Sequence, residues 1–121
     1  MRVCVALCGA LLCGGLVPAL SAQDAAKVDP THYTVVSEND QVRILKVHYG
    51  PHEKSVMHSH PGGVVVFLNG GKMKFNYPDG KSEVIEMQPG EARYTPSTVH
   101  LPESDSDQPM DAIVVEVKSP K

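Results

Sequence analysis

The sequence has no tryptophan, only two phenylalanines and three cysteines, and no cluster of basic residues. The cysteines are Cys4, Cys8 and Cys13, so a domain that begins after them contains no thiol. Disulfide stabilisation and cysteine chemistry are therefore excluded for such a domain. A formal net charge of −3 over 121 residues, without a basic patch, is not the electrostatic footprint of a nucleic-acid-binding protein. We expect no nucleic-acid partner.

The first 22 residues have the pattern of an export signal. Arg2 supplies a positive charge, residues 3–20 contain no charged side chain, and residues 19–22 offer small side chains at a cleavage position. An uncleaved membrane anchor is the alternative, but the glycines and Pro18 within the run make it a poor bilayer span. We predict cleavage after residue 22 and a periplasmic or secreted protein with no membrane attachment after cleavage.

The rest of the chain has the pattern of one small all-β domain. Residues 23–31 are polar, contain Pro30 and show no periodicity, which predicts a flexible lead-in. From residue 32 to residue 121, short apolar alternations are separated by Gly, Pro, Asn and Asp. About eight strands joined by short turns predict a single antiparallel domain, either a closed barrel or a double-sheet jelly roll. The predicted strands are 32–37, 41–49, 64–68, 72–77, 81–87, 91–95, 99–102 and 112–118.

Two histidines, His58 and His60, flank a single serine. In an extended strand both rings project from the same face, because side chains alternate with period two. Two neutral imidazoles aimed at one point form half of a metal site. His100 follows a turn, in a strand that a barrel would bring opposite, and is the third candidate ligand. The alternative is a barrel without metal, in which the rings bond to one another or to water.

The stretch around the first two histidines resembles the first sequence motif of the cupin family. That motif consists of glycine, a short spacer, His-x-His, three or four residues, glutamate, six residues and glycine. Here Gly50 begins the motif, His58 and His60 match, Val64 stands at the glutamate and Gly71 ends it. The spacer after Gly50 is slightly longer than usual.

The second motif of the family is similar to the stretch around His100. Its pattern is glycine, five residues, proline, x, glycine, two residues, histidine, three residues and asparagine. Gly90 and Pro96 match, Thr98 replaces the second glycine, His100 comes one residue early and Ser104 stands at the asparagine. Together the two motifs resemble those of a small single-domain bacterial cupin with an RmlC-like jelly roll.

The resemblance implies a divalent transition metal bound by His58, His60 and His100. Val64 removes the usual carboxylate ligand, and three imidazoles favour Fe, Zn, Mn, Ni or Cu over Mg or Ca. Three further residues are candidates for a fourth ligand. They are Glu103, Glu53 and His52.

Other histidines and apolar residues have weaker patterns. His32 and His48 have no partner at ligand spacing, so we predict that both lie at the surface or the rim. A set of apolar and aromatic residues near the motifs are candidates for a ligand pocket, although such residues at strand period also form ordinary core. They are Met57, Phe67, Met73, Phe75 and Tyr94.

The sequence leaves two functions open. Three-histidine cupins include dioxygenases, so the resemblance implies a metal-dependent oxidoreductase acting on a small molecule. The absence of a carboxylate from the motif removes the obvious general base, which equally favours a non-catalytic module that binds metal or a small ligand. A homodimer is a further expectation, because a lead-in arm could add a strand to a neighbouring chain.

Overall fold

The structure, a computed structural model, describes residues 23–119, and the predicted export signal at residues 1–22 lies outside them. No helix in the described part is long and apolar enough to cross a membrane. The elements are α1 (Ala25–Val28), β1 (Tyr33–Glu38), β2 (Val42–Tyr49), β3 (His58–His60), β4 (Gly63–Phe67), β5 (Gly71–Asn76), β6 (Ser82–Met87), β7 (Ala92–Thr95), β8 (Thr98–Ser104) and β9 (Met110–Val117).

The strands form two antiparallel sheets. The five-stranded sheet has the order β1-β2-β9-β4-β7, and the four-stranded sheet has the order β3-β8-β5-β6. Successive strands such as β3 and β4 belong to different sheets, so the chain crosses repeatedly between the two layers and encloses a core. The predicted all-β, antiparallel jelly roll is confirmed, and every predicted strand end lies within two residues of the observed one.

The core between the sheets follows the period-two alternation of the strands. On β2, Leu45, Val47 and Tyr49 are buried, whereas Lys46 and His48 are exposed. The inward side chains of the other strands continue this apolar layer. They include Phe67, Met73, Met87 and Met110.

Gly63 sets how closely β4 approaches β9. A Cβ atom at this position would overlap the backbone carbonyl oxygen of Val115, so only glycine permits the observed packing. Gly63 lies opposite Glu116 in the β4–β9 register. The close approach therefore brings the end of β9 beside the chain segment that leads out of β3.

The predicted lead-in, residues 23–31, contains the short helix α1 and pairs with β3. The Asp24 side chain caps α1 by accepting a hydrogen bond from the Ala26 backbone N–H (3.3 Å), and Ala25 is fully buried. The backbone N–H of Ser59 donates to the Gln23 carbonyl (2.9 Å), and residue 24 forms a parallel bridge with the same serine. Capping, burial and this bridge hold the segment along the outer edge of β3 in its own chain.

Candidate metal centre

Strands β3 and β8 bring three histidines together. The two strands pair antiparallel with His58 directly opposite His100. The ring centroids are 4.8 Å apart for His58 and His60, 5.0 Å for His58 and His100, and 5.4 Å for His60 and His100. One ring nitrogen from each histidine lies within 4.8 Å of the others. The three imidazoles therefore form one cluster, in which His58 and His60 share a strand face as the alternation predicted.

The cluster is shielded from solvent. His58 is 0% exposed and His60 is 8% exposed, while His100 is partly buried. Burial, together with the neighbouring His60 ring, lowers the pKa of His58 to about 4. The same causes and the His58 ring lower the pKa of His100 to about 3. Both rings are therefore neutral near pH 7, each with a nitrogen lone pair available to a ligand.

Two ring nitrogens of the cluster have no protein partner among the described residues. The Nε2 atoms of His58 and His100 are buried and make no hydrogen bond. Buried polar atoms in native proteins nearly always have a partner, which is a protein group, a water molecule or an ion. Two such nitrogens beside a third imidazole thus fit a shared metal ion.

The protonation of His58 follows from the contacts of its other ring nitrogen. Nδ1 lies 2.9 Å from the Val56 carbonyl oxygen and 3.2 Å from the Ser55 hydroxyl. A carbonyl oxygen only accepts hydrogen bonds, so Nδ1 carries the proton and Nε2 carries the lone pair. The Ser55 hydroxyl donates to the Asp29 carboxylate (2.5 Å).

His60 is oriented by a buried carboxylate that the sequence reasoning did not identify. Nδ1 of His60 donates to the Glu116 carboxylate (2.8 Å), and Glu116 is 1% exposed. The other Glu116 oxygen accepts from Arg43 Nε (2.7 Å). The only indication in the sequence was an acidic residue on the inward face of the last strand, in line with Val114.

None of the three candidate fourth ligands reaches the cluster. Glu53 pairs with Nε2 of His32 (2.6 Å). His52 is 58% exposed in its side chain and pairs with an exposed aspartate. Glu103 accepts from a side-chain amide on β5 (3.2 Å). All three side chains bind other partners, so none of them supplies a fourth ligand atom to the cluster.

The residue that faces inward on β4 is Val65, and Val64 lies on the opposite face. Val65 lines the cavity beside the cluster together with Phe67, as expected from alternation along the strand. The motif position that usually supplies a carboxylate corresponds to either Val64 or Val65, depending on the spacer. Since both are valines, the inference that this strand supplies no carboxylate holds for either spacing.

An apolar cavity of about 110 Å³ lies beside His60 and His100. Tyr33 and Tyr49 line this cavity, and their hydroxyls lie 2.8 Å apart. Within the described residues, no lysine, arginine, aspartate or glutamate lines this cavity. The rest of the wall is largely aliphatic and aromatic. Its apolar members are Val47, Val65, Phe67, Met73, Phe75, Met110, Ala112 and Val114.

The predicted pocket residues divide into two groups. Phe67, Met73 and Phe75 line the cavity. Met57 and Tyr94 do not, because their side chains point outward: Met57 is 37% exposed and Tyr94 is 93% exposed. Tyr94 instead lines an outer cavity of about 250 Å³, which shares His100 and Phe75 with the inner one and is also lined by Glu83 and Arg93.

His32 and His48 both lie outside the cluster. The position predicted for His32, at the surface or the rim, was wrong. His32 is 7% exposed and stacks on Tyr49 at 4.3 Å. Its ring nitrogens contact Asp29 and Glu53, each at 2.6 Å. Two carboxylates satisfy the ring, which allows it to be buried. The His48 side chain is 54% exposed, as predicted.

Comparisons with known proteins agree with the fold. A family model described as "Cupin domain" matches residues 45–116. No match was found among curated proteins. A solved cupin domain from Bordetella pertussis Tohama I is 25% identical, with a TM-score of 0.66 over 72% of this chain and 92% of that chain.

Two more distant structures show the fold alone. An RmlC-like cupin family protein from Methanocaldococcus jannaschii, with a double-stranded β-helix fold, is 15% identical, with a TM-score of 0.56 over 70% of this chain and 77% of that chain. A polyketide cyclase from Streptomyces resistomycificus is 22% identical, with a TM-score of 0.53 over 70% of this chain and 63% of that chain.

Proposed function

The chain belongs to the cupin domain family, and we propose that this cupin binds one divalent transition-metal ion through His58, His60 and His100. The observation that carries the proposal is the pair of buried, unpartnered Nε2 atoms on His58 and His100. Neutral imidazoles suit Fe, Zn, Mn, Ni and Cu. One ring nitrogen of each histidine lies within 4.8 Å of the others, a spacing compatible with one shared ion.

The cavity beside the histidines indicates the class of ligand. A charged group placed there would lose its hydration without meeting an opposite charge, which is costly. A small uncharged molecule, with an apolar body and at most one or two polar atoms, fits a wall of this composition. The hydroxyl pair of Tyr33 and Tyr49 offers such a ligand one polar contact, and the aromatic rings offer apolar contact.

A metal-dependent oxidoreductase of the dioxygenase type is the catalytic form of this proposal. A bound first-row ion would supply Lewis acidity or oxygen activation. The chain itself would hold the small substrate against the histidines and exclude bulk water through the apolar wall. The likeness to three-histidine cupins supports this form.

A non-catalytic module that binds metal or a small ligand is the second candidate, and one observation favours it. No acidic side chain of the described residues lines the cavity. Burial raises the pKa of Tyr33 and of Tyr49, so both phenols remain protonated and are poor proton acceptors. A reaction that requires a general base would have none in the cavity wall.

We propose that the protein acts in the periplasm or outside the cell. The support is the export-signal pattern of residues 1–22. N-terminal sequencing of the protein from fractionated cells should find Gln23 as the first residue. Cytoplasmic protein that retains Met1 would contradict the proposal.

Metal analysis and titration test the central claim. The purified protein, stripped with chelator and reconstituted with Fe, Zn, Mn, Ni or Cu, should bind one ion per chain. Replacing His58, His60 and His100 together by alanine should abolish binding. His48→Ala is the matched control, because this side chain is 54% exposed and lies outside the cluster. A wild-type protein that binds no first-row ion, or a triple variant that retains one, would show that the proposal is wrong.

Probe binding and oxygen uptake separate the two candidate functions. Phenol should shift the NMR signals of Phe75 and Met73 in the metal-loaded protein, whereas benzoate and benzylammonium should not. Oxygen consumption with phenols, diols or thiols would support the oxygenase form. Binding of phenol without oxygen consumption would favour the module. Equal binding of the charged probes would contradict the proposed ligand class.

A further inference from the structure

We propose that residues 24–33 are a positioning element that fixes the imidazoles of His58 and His60 for metal binding. This inference rests on the proposed metal function. The segment precedes residues 45–116, the part matched by the family model. The segment therefore lies outside the part of the chain that the family match covers.

The first connection runs from Asp24 to His60. The Arg43 guanidinium donates to both Asp24 oxygens, from Nη1 at 2.7 Å and from Nη2 at 2.5 Å. Its Nε donates to Glu116 at 2.7 Å, and Glu116 accepts from Nδ1 of His60 at 2.8 Å. Four side chains thus form one continuous chain of hydrogen bonds from the N-terminal cap of α1 to a ring of the cluster.

This connection determines which nitrogen of His60 faces the cluster. A carboxylate that accepts from Nδ1–H fixes the tautomer with its lone pair on Nε2 and orients the ring. Glu116 is 1% exposed, so it needs an opposite charge, which Arg43 provides. Asp24 holds the guanidinium from the far side through two hydrogen bonds. Removing the Asp24 charge would leave Arg43 fixed by Glu116 alone.

The second connection runs from Asp29 to His58. The Asp29 carboxylate accepts the Ser55 hydroxyl hydrogen at 2.5 Å. The Ser55 oxygen then presents a lone pair to Nδ1–H of His58, 3.2 Å away. This contact supports the same tautomer that the Val56 carbonyl selects. The nitrogen left without a partner is again Nε2.

Tyr33 completes the element by packing against both rings. Its ring centroid lies 4.8 Å from that of His58 and 5.3 Å from that of His60. Tyr33 is 4% exposed, and its hydroxyl is held by Tyr49 at 2.8 Å. A fixed aromatic neighbour limits rotation of the two imidazoles. One short segment is therefore connected to two of the three proposed ligands by three routes, of which the Tyr33 contact is direct and the other two pass through intervening side chains.

The test uses variants that remove charge but keep shape. Asp24→Asn retains a good N-cap acceptor for α1 while it removes the charge opposite Arg43. Glu116→Gln acts one step nearer to His60, and Asp29→Asn acts on the His58 route. Glu86→Gln is the matched control, because it breaks a surface ion pair with Lys72 (3.9 Å), and Glu86 lies on β6, at the opposite edge of the four-stranded sheet from β3.

Two measurements decide the outcome. Long-range ¹H–¹⁵N NMR of the metal-free protein should show one tautomer, with Nδ1 protonated, at His58 and His60 in wild type and in Glu86→Gln. Glu116→Gln and Asp24→Asn should give mixed tautomers at His60, whereas Asp29→Asn should leave Nδ1 of His58 protonated, because the Val56 carbonyl still accepts from it, and should act on the zinc affinity alone. Zinc affinity by chelator competition should fall about 10–100-fold for Glu116→Gln and about tenfold for the two aspartate variants. Asp24→Glu should restore both readouts.

Failure of this inference is distinguishable from failure of the proposed function. Wild-type protein that does not bind zinc would refute the metal proposal, while the tautomers of the metal-free protein would still test the positioning. If Asp24→Asn and Asp29→Asn only lower the melting temperature, with wild-type tautomers and zinc affinity within twofold, the segment is merely structural and the inference is wrong.

Discussion

Mild acid should destabilise the metal-free protein well before its carboxylates protonate. Burial lowers the pKa of His58 to about 4 and that of His100 to about 3, against about 6.5 in an unfolded chain. Between pH 6.5 and pH 4 the unfolded state therefore binds more protons at these two rings than the folded state does. The free energy of unfolding consequently falls as the pH falls through this window.

The expected size of the effect follows from the two shifts. Each ring contributes about 1.4 kcal/mol per pH unit within the window. Lowering the pH from 6.5 to 5 should therefore cost roughly 2–4 kcal/mol for the pair, out of about 5–15 kcal/mol for a typical domain. Carboxyl groups with lowered pKa values, such as those of Asp29 and Asp111, contribute stability that is lost only below about pH 4.

Urea denaturation of chelator-treated protein at several pH values between 5 and 6.5 measures this slope. The double variant His58→Gln, His100→Gln should show a shallower dependence, because it lacks the two rings. Saturating zinc should move the loss of wild-type stability to lower pH, since the ion competes with protons for the same nitrogens. Equal slopes for wild type and the double variant in the absence of metal would refute the reasoning.

Two further predictions concern the framework around the centre. Gly63→Ala should lower the free energy of unfolding by about 1–3 kcal/mol, because its Cβ would overlap the Val115 carbonyl. Gly80→Ala, which has open space but a positive φ of 85°, should cost about 1–2 kcal/mol, and urea denaturation compares the two. A urea denaturation midpoint for Gly63→Ala equal to that of the wild type would contradict the packing argument. Tyr33→Phe should lower stability by about 1–3 kcal/mol because the buried Tyr49 hydroxyl loses a partner, and an unchanged melting temperature would show that this hydrogen bond contributes nothing.

The parts of the centre that the sequence predicted are those that depend on local periodicity. His58 and His60 share a face because they are two residues apart in an extended strand. His100 joins them because β8 pairs with β3 in a register that sets it opposite His58. The resemblance to a known motif supplied that pairing. A three-residue strand was thus enough to place His58 and His60 on one face, since the periodicity of a strand is independent of its length.

The parts that the sequence did not predict depend on distant partners. Glu116 is 56 residues from His60 and 73 residues from Arg43 along the chain. His32 is 21 residues from Glu53. A polar residue on an inward strand position signals that some partner exists, because a buried charge needs one. Which residue satisfies it is decided by the packing of the two sheets, which no local pattern encodes.

The position of the acidic group changes how the missing ligand should be interpreted. At the motif position β4 carries valine, and the carboxylate nearest the histidines is Glu116 on β9, opposite Gly63. There it accepts the Nδ1 proton of His60 and is offset by Arg43. A carboxylate in this place cannot neutralise an ion by direct contact, but it strengthens an imidazole as a donor. In the proposed metal centre, the neutral imidazole of His60, oriented by Glu116, would therefore stand in place of a carboxylate ligand. For this reason its affinity should depend on residues 24–33, which hold the countercharge in place.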